Sequence, residues 1–227
     1  MLITRLTFGF IIQLITFGGL LMVPAWTLHW WRAWTFLGII VVAMVATTVT
    51  LYPKSRELLQ ERLKLPIQKG QPLSDRIVLM LFVLEFYALL VLIPLDVFRF
   101  HLLPVPGTLV SSMGLGLFLL GWTIVYLSFR ANTFATPVVR HQEERQHTVI
   151  DTGVYGIVRH PMYAGGVLVM VGMPLWLQSY AATLYAVVPI ATLAFRIYIE
   201  ERFLTRKLEG YEEYTEKVRY RLIPFIW

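Results

Sequence analysis

Apolar residues in this chain fall in long blocks rather than in alternating stripes. Six blocks stand out: Leu6–Leu28, Ala33–Tyr52, Ile77–Phe98, Gly107–Phe129, Met162–Leu177 and Tyr180–Tyr198. A helix that crosses a bilayer needs roughly 20 consecutive apolar residues, so the pattern predicts a bundle of about six membrane spans, with five to seven as the bounds. The fifth block is short, which predicts a helix that crosses with little tilt or dips in and turns back. Between the second and third blocks, Arg56–Lys64 carries Leu58, Leu59 and Leu63 on one side and reads as an interfacial helix. After Tyr198, Leu204, Leu208, Tyr211 and Val218 recur among charges. That spacing predicts a C-terminal amphipathic helix on the membrane surface, with Ile223–Trp227 as an interfacial anchor. The first block runs into Trp26, Trp30 and Trp31 and has no small-x-small site, so it is expected to be a retained span rather than a leader.

Composition agrees. The 227 residues are 57% hydrophobic and only 15% charged, with a mean hydropathy of +0.64, well on the membrane side of ordinary soluble usage. Charge then orients the bundle. Of the 20 Lys and Arg, all but Arg32 and Arg99 lie on the side that holds both chain ends and the loops after the second and fourth blocks. Basic residues collect on the cytoplasmic side, so both ends and the long 130–159 loop are expected there. The net charge of +6 is thereby accounted for by membrane lipid, and no basic–aromatic nucleic-acid module is present. The chain has no cysteine, which removes thiolate chemistry, and its five scattered histidines make no metal pattern.

The candidate chemistry lies in the second half. Arg159-His160-Pro161-Met162-Tyr163 stands where a polar stretch meets the fifth block, and Glu200-Glu201 stands beyond the sixth. Two helices that go out and return bring these groups to one face of the membrane, a layout that suits a zwitterionic ligand. Pro161 fits the first turn of a helix and His160 its N-cap. Arg159 and the helix end attract a carboxylate, while the plainer reading is headgroup contact and capping. Arg196 and Glu200, four apart, share a helix face. They form either an intrahelical pair or a site in which Glu200 receives an ammonium group and Arg196 a second, acidic one. Tyr155 and Tyr163 could flank an adenine or a methyl cation, or anchor at the interface. Glu85 is ionisable in mid-span and so a candidate functional residue without an assigned role. Asp96 reads as interfacial, His29 and His101 as structural. Gly114, Gly116, Gly121, Gly165, Gly166 and Gly172 thin the fourth and fifth blocks, either for close helix packing, the simpler reading, or to leave room for a ligand.

Gly153-Val154-Tyr155, then Arg159 through Tyr163, then Glu200-Glu201, then Tyr211-x-x-Tyr214 and Pro224 resemble the isoprenylcysteine carboxyl methyltransferases and the related membrane phospholipid methyltransferases. The resemblance covers 132–227, and order and spacing agree. It implies an all-α integral membrane enzyme, a single membrane domain over 1–227. Residues 1–106 would supply spans with little family signal and 107–227 the catalytic part. It implies S-adenosylmethionine as cofactor, held by His147, Thr148, Val149, Ile150, Tyr155, Arg159, His160, Pro161, Met162, Tyr163, Glu200 and Glu201. Arg196 and Glu200 would be the catalytic residues, Arg196 facing the methyl acceptor. The family's loop has a glutamine before its histidine, where this chain has Arg140, with Gln142 nearby. The implied reaction is methyl transfer to a lipophilic or prenylated acceptor, first of all a prenylcysteine-like carboxylate. The other readings are N-methylation of a phospholipid amine, an NADPH-dependent membrane reductase of the sterol type, and a non-enzymatic membrane carrier.

Overall fold

The computed structural model describes every residue except 66, 69, 141–144 and 146. Nine α-helices are found among the described residues: α1 Leu2–Ala25, α2 Trp31–Leu51, α3 Arg56–Arg62, α4 Leu73–Leu95, α5 Thr108–Ala131, α6 Pro161–Trp176, α7 Tyr180–Tyr185, α8 Val187–Lys207 and α9 Tyr211–Lys217. Five stretches are long and apolar enough to cross a membrane: α1, α2, Leu73–Phe100, α5 and Tyr180–Lys207, with α6 as a shorter sixth. The chain is a multi-pass helical membrane protein, as the block pattern predicts. At 16 residues, α6 is about 24 Å long at the usual rise per residue, short of the ~30 Å hydrocarbon layer.

Two of the expected spans are modified by identifiable residues. The sixth breaks at Ala186, between α7 and α8. Pro189 cannot donate to the carbonyl of Tyr185 and its ring crowds it, which is the ordinary cause of such a break. Asp96, expected at the interface, is instead 3% exposed. It accepts a hydrogen bond from Ser179 Oγ at 2.6 Å and another from the Leu102 amide at 2.8 Å. Ser179 in turn caps α7 by accepting from the Ala182 amide. A carboxylate tying two chain reversals together is worth more in the dry interior than at a wet surface, which is why the chain buries it.

The tightest seam joins α5 and α6. A Cβ placed on Gly121 would fall 2.6 Å from the Gly165 carbonyl oxygen, and one on Gly172 would fall 2.5 Å from that of Gly114. Gly121 faces Gly165 and Gly114 faces Gly172, so the two helices run antiparallel with their small residues in register. These glycines serve close packing rather than ligand space. In lipid, where burying apolar surface gives helices no preference for one another, such backbone approach is a main source of association. Gly116 and Gly166 meet nothing within 4 Å and lie off the seam.

Because α5 and α6 are antiparallel, the 132–160 segment leaves and re-enters the bundle at one end. The end of α8, with α9, closes over it. The apolar residues of the expected surface helix, Leu208, Tyr211, Tyr214 and Val218, form a buried cluster with Val149 and Leu204. Gly210, at φ 79°, separates α8 from α9. The apolar side of α9 thus packs on the loop. The chain end also turns inward: Arg159 and His160 amides donate to the carbonyls of Tyr220 and Arg221.

Candidate active site

At this end of the bundle the loop, the start of α6 and the end of α8 enclose a cavity of about 750 Å³, counting its open mouth. His147, Thr148, Val149 and Ile150 line it together with Tyr155, Arg159, His160, Met162, Tyr163 and Glu200. Thus ten of the residues singled out in the sequence converge on one space, from stretches that are far apart in the chain. Pro161, Glu201 and Arg196 do not line it. Asn132, Phe134, Arg140, Tyr211 and Tyr214 do; of these the sequence singled out Arg140, as the position where the family has a glutamine, and the two tyrosines as part of a motif. Gln142 lies outside the described residues.

The opposed charges expected across the site meet inside the protein. Glu201 Oε1 accepts from Arg159 Nε at 2.6 Å and lies 3.2 Å from His160 Nε2, while its other oxygen accepts from Arg221 Nε at 2.8 Å. Arg159 Nη1 donates to the carbonyls of Val218 and Arg219 at 2.8 and 3.0 Å. Arg159 therefore has both its Nε and its Nη1 engaged. It holds the C-terminal segment against the start of α6, with His160 as N-cap and Pro161 at the first helical position.

Glu200 differs from its neighbour. Its carboxylate reaches the cavity, accepts from the Tyr163 hydroxyl, and forms no ion pair among the described residues. The His160 and Tyr163 rings lie parallel, 5.5 Å apart, which fixes the hydroxyl that orients Glu200. An oriented carboxylate without a cation is the group that an ammonium would complete.

Arg196 is not paired with Glu200. It is 4% exposed, and its Nε donates to Asp75 Oδ1 at 2.8 Å and its Nη2 to the Pro137 carbonyl at 2.6 Å. Asp75, in the first turn of α4, is wholly buried and also accepts from the Val139 amide at 3.0 Å and from Gln71 Nε2 at 2.8 Å. One carboxylate thus ties α4, α8 and the cavity loop together. The sequence reading passed over Asp75, and the available signal was Arg196 itself, a deep cation in need of an acid. Asp75→Asn keeps the shape and removes the charge. It is expected to cost about 2 kcal/mol of stability, the scale of a charged hydrogen bond, and to speed hydrogen exchange at Val139. Unchanged exchange there would show that Asp75 does not hold the loop.

The cavity's remaining walls suit a nucleoside. Peptide groups of Thr148, Val149 and Ile150 make no backbone hydrogen bonds among the described residues, which leaves unspent donors and acceptors in a stretch that lines the cavity. Burial raises the hydroxyl pKa values of Tyr155, Tyr211 and Tyr214, so these rings stay neutral, offering flat faces and no negative charge. The Tyr214 hydroxyl donates to the Tyr155 carbonyl at 2.8 Å.

Comparison with known proteins identifies the family and the fold. Residues 109–210 match the family model of phospholipid methyltransferases. Over 129 residues the chain is 38% identical to a "Probable protein-S-isoprenylcysteine O-methyltransferase" of Oryza sativa subsp. indica, a match that covers 52% of this chain and 62% of the rice protein. The chain therefore spans about three fifths of that relative's length. Over 153 residues it is 31% identical to protein-S-isoprenylcysteine O-methyltransferase A of Arabidopsis thaliana, covering 64% of this chain and 77% of the relative. The solved structure of the eukaryotic intramembrane Ras methyltransferase, isoprenylcysteine carboxyl methyltransferase, shares the fold, with a TM-score of 0.52 and 20% identity over 92% of this chain and 74% of that one.

Proposed function

The chain belongs to the protein-S-isoprenylcysteine O-methyltransferase family, and from that premise we propose that it transfers a methyl group from S-adenosylmethionine to a carboxylate on a prenylcysteine-like, lipophilic acceptor. The observation that carries the cofactor is Glu200, an oriented carboxylate that lines the cavity and has no ion pair among the described residues, while both arginines of the cavity wall already face other carboxylates. Glu200 would hold the ammonium of the cofactor's amino-acid end, and the 148–150 peptide groups and the tyrosines its nucleoside. When bound, S-adenosylmethionine supplies a methyl group on a sulfonium, whose transfer to a carboxylate oxygen moves no proton. The chain's task is then to position the reactants and exclude water. The Arg159–Glu201–Arg221 cluster and α9 keep the cavity closed on the loop side. The absence of a proton transfer fits a site in which His160 is already held by Glu201.

The positive-inside bias supports a cytoplasmic location for this cavity and for both chain ends. An NADPH-dependent reductase would need cations for an added phosphate. The two arginines in the cavity wall already face carboxylates, Arg140 facing Glu61 at 3.0 Å and Arg159 facing Glu201, which favours the methyl donor.

Calorimetric titration of the detergent-solubilised protein with S-adenosylmethionine, alongside NADPH, tests the proposal. Saturable binding of the first alone is expected. Glu200→Gln should weaken it about 30-fold or more, because it removes a desolvated charge partner, without lowering the unfolding temperature. NADPH binding without S-adenosylmethionine binding would overturn the proposal. Methylation of phosphatidylethanolamine in place of a farnesylated cysteine would move the acceptor from a carboxylate to an amine.

A further inference from the structure

Glu85 has no part in the cavity at the end of the bundle. It stands about halfway along the 28-residue apolar stretch Leu73–Phe100, where an ionisable group is costly and usually functional. On α4 it lies between the packed face and the lipid face. Val78 and Leu89, on its own side of the helix, are buried, while Leu81 and Leu84 are exposed. Its Oε2 is enclosed by protein and has no hydrogen-bond partner. A polar atom enclosed in this way marks a place that something else completes.

The facing wall is the break in the sixth span. Asp75 of α4 pairs with Arg196 of α8, and the two helices pack along each other. Ten residues on from Asp75 stands Glu85, and ten back from Arg196 stands Ala186, each about 15 Å deeper at the usual rise. Tyr185, at the end of α7, accordingly has its phenol within electrostatic reach of the Glu85 carboxylate. The Tyr185 carbonyl accepts no backbone hydrogen bond among the described residues, because the residue four ahead is Pro189 and carries no N–H. Leu184, Val187 and Val188 around the break are exposed on the lipid side. Freed carbonyls of a discontinuous helix beside a mid-membrane acid are a recurrent way to build a polar site inside a bilayer.

Two features select the occupant. The Tyr185 carbonyl and the ionised Glu85 carboxylate only accept, so the occupant must donate, and to two places. The residues around them are apolar and face lipid, so it must arrive from lipid with an apolar part of its own. An inorganic cation fails the second requirement, and an alcohol, with a single O–H, fails the first. We propose that Glu85 and the break between α7 and α8 form a lipid-facing site for the head group of a long-chain primary amine. Its N–H groups would reach the Glu85 carboxylate and the Tyr185 carbonyl, and its chain would lie along Leu81, Leu84 and Leu184. The site is separate from the cavity and does not depend on methyl transfer.

The test uses the full chain in lipid nanodiscs and a dodecylamine that carries a diazirine in its chain. On irradiation it is expected to label the segments around Glu85 and Tyr185, located by peptide mass spectrometry. Unmodified dodecylamine should compete at a concentration at least about tenfold below that needed for dodecanol or dodecyltrimethylammonium, the scale of one lost buried hydrogen bond to a charged group. The alcohol has one donor, and the quaternary ion has the charge without any N–H. Glu85→Gln should reduce the labelling about tenfold on the same scale. Pro189→Ala, which returns an N–H to the Tyr185 carbonyl, should reduce it several-fold. S-adenosylmethionine binding should stay as in the wild type in both variants. Labelling spread evenly over the lipid-facing helices would overturn the site, and equal competition by the alcohol or the quaternary ion would overturn recognition of an amine. Labelling unchanged in Glu85→Gln or in Pro189→Ala would overturn the two-point contact. Should Glu85→Gln fail to fold, the competition series on the wild type and the Pro189→Ala result decide.

Discussion

Gly172→Ala is expected to lower stability by about 3 kcal/mol, while the same change at Gly116 or Gly166 leaves it unchanged or raises it by up to about 1 kcal/mol. At Gly172 the added methyl would fall 2.5 Å from both the Gly114 carbonyl oxygen and the Phe118 amide nitrogen. Both are backbone atoms of α5 and neither can rotate away, so the helices must separate. Separation loosens Gly121 against Gly165 as well, because the two close approaches lie on one seam. This sits at the upper end of ordinary overpacking penalties. At Gly116 and Gly166 the methyl meets open space and only the helix preference of alanine over glycine remains. Thermal unfolding in detergent, followed by tryptophan fluorescence, checks the contrast in sign. Equal effects at Gly172 and Gly116 would mean that α5 and α6 do not touch as described.

Glu201→Ala is expected to cost about 3–5 kcal/mol, the usual penalty for removing one partner of a buried ion pair. Here three partners depend on one carboxylate, and two of them, Arg159 and His160, are 8% and 6% exposed. The Arg159 charge would remain in a dry place without its anion, next to the candidate cavity. Because the cluster is buried, added salt should rescue little. Lys217→Ala is the matching control. Its pair with Asp151 is surface-exposed, and such pairs contribute about 1 kcal/mol at most. The unfolding temperature of these two variants, read with that of Glu200→Gln, separates the adjacent glutamates. Loss at position 201 should destabilise the fold, and loss at 200 should weaken ligand binding in a stable protein. A stable Glu201→Ala protein would show that the arginines find other partners.

The division of labour between these two residues was not legible in the sequence. Glu200-Glu201 and Arg159-His160 could be placed on one membrane face by counting helices, and ten of the expected site residues do share a cavity. Which glutamate faces the ligand depends on helix rotation. Successive residues on α8 point about 100° apart, and the angle at which α8 meets α6 and the C-terminal segment decides which is enclosed. The same holds for Arg196. Its spacing of four from Glu200 suggested a shared role, but Asp75 on α4, distant in sequence, takes its charge.

The amino-acid sequence by itself determined the membrane architecture, the number of apolar helices and the gathering of the candidate site residues at one end of the bundle. These follow from local properties: the length of apolar runs, the placement of Lys and Arg, and Pro161 at a helix start. Only the tertiary structure decided that the C-terminal helix covers the loop, that Asp96 is buried, and that Arg159 faces Glu201 while Arg196 faces Asp75. Each of these depends on which side chains meet across helices that are far apart in the chain. In a medium of low dielectric a charge is held by whatever partner packing brings within reach, and that partner is set by helix rotation and crossing rather than by position along the sequence.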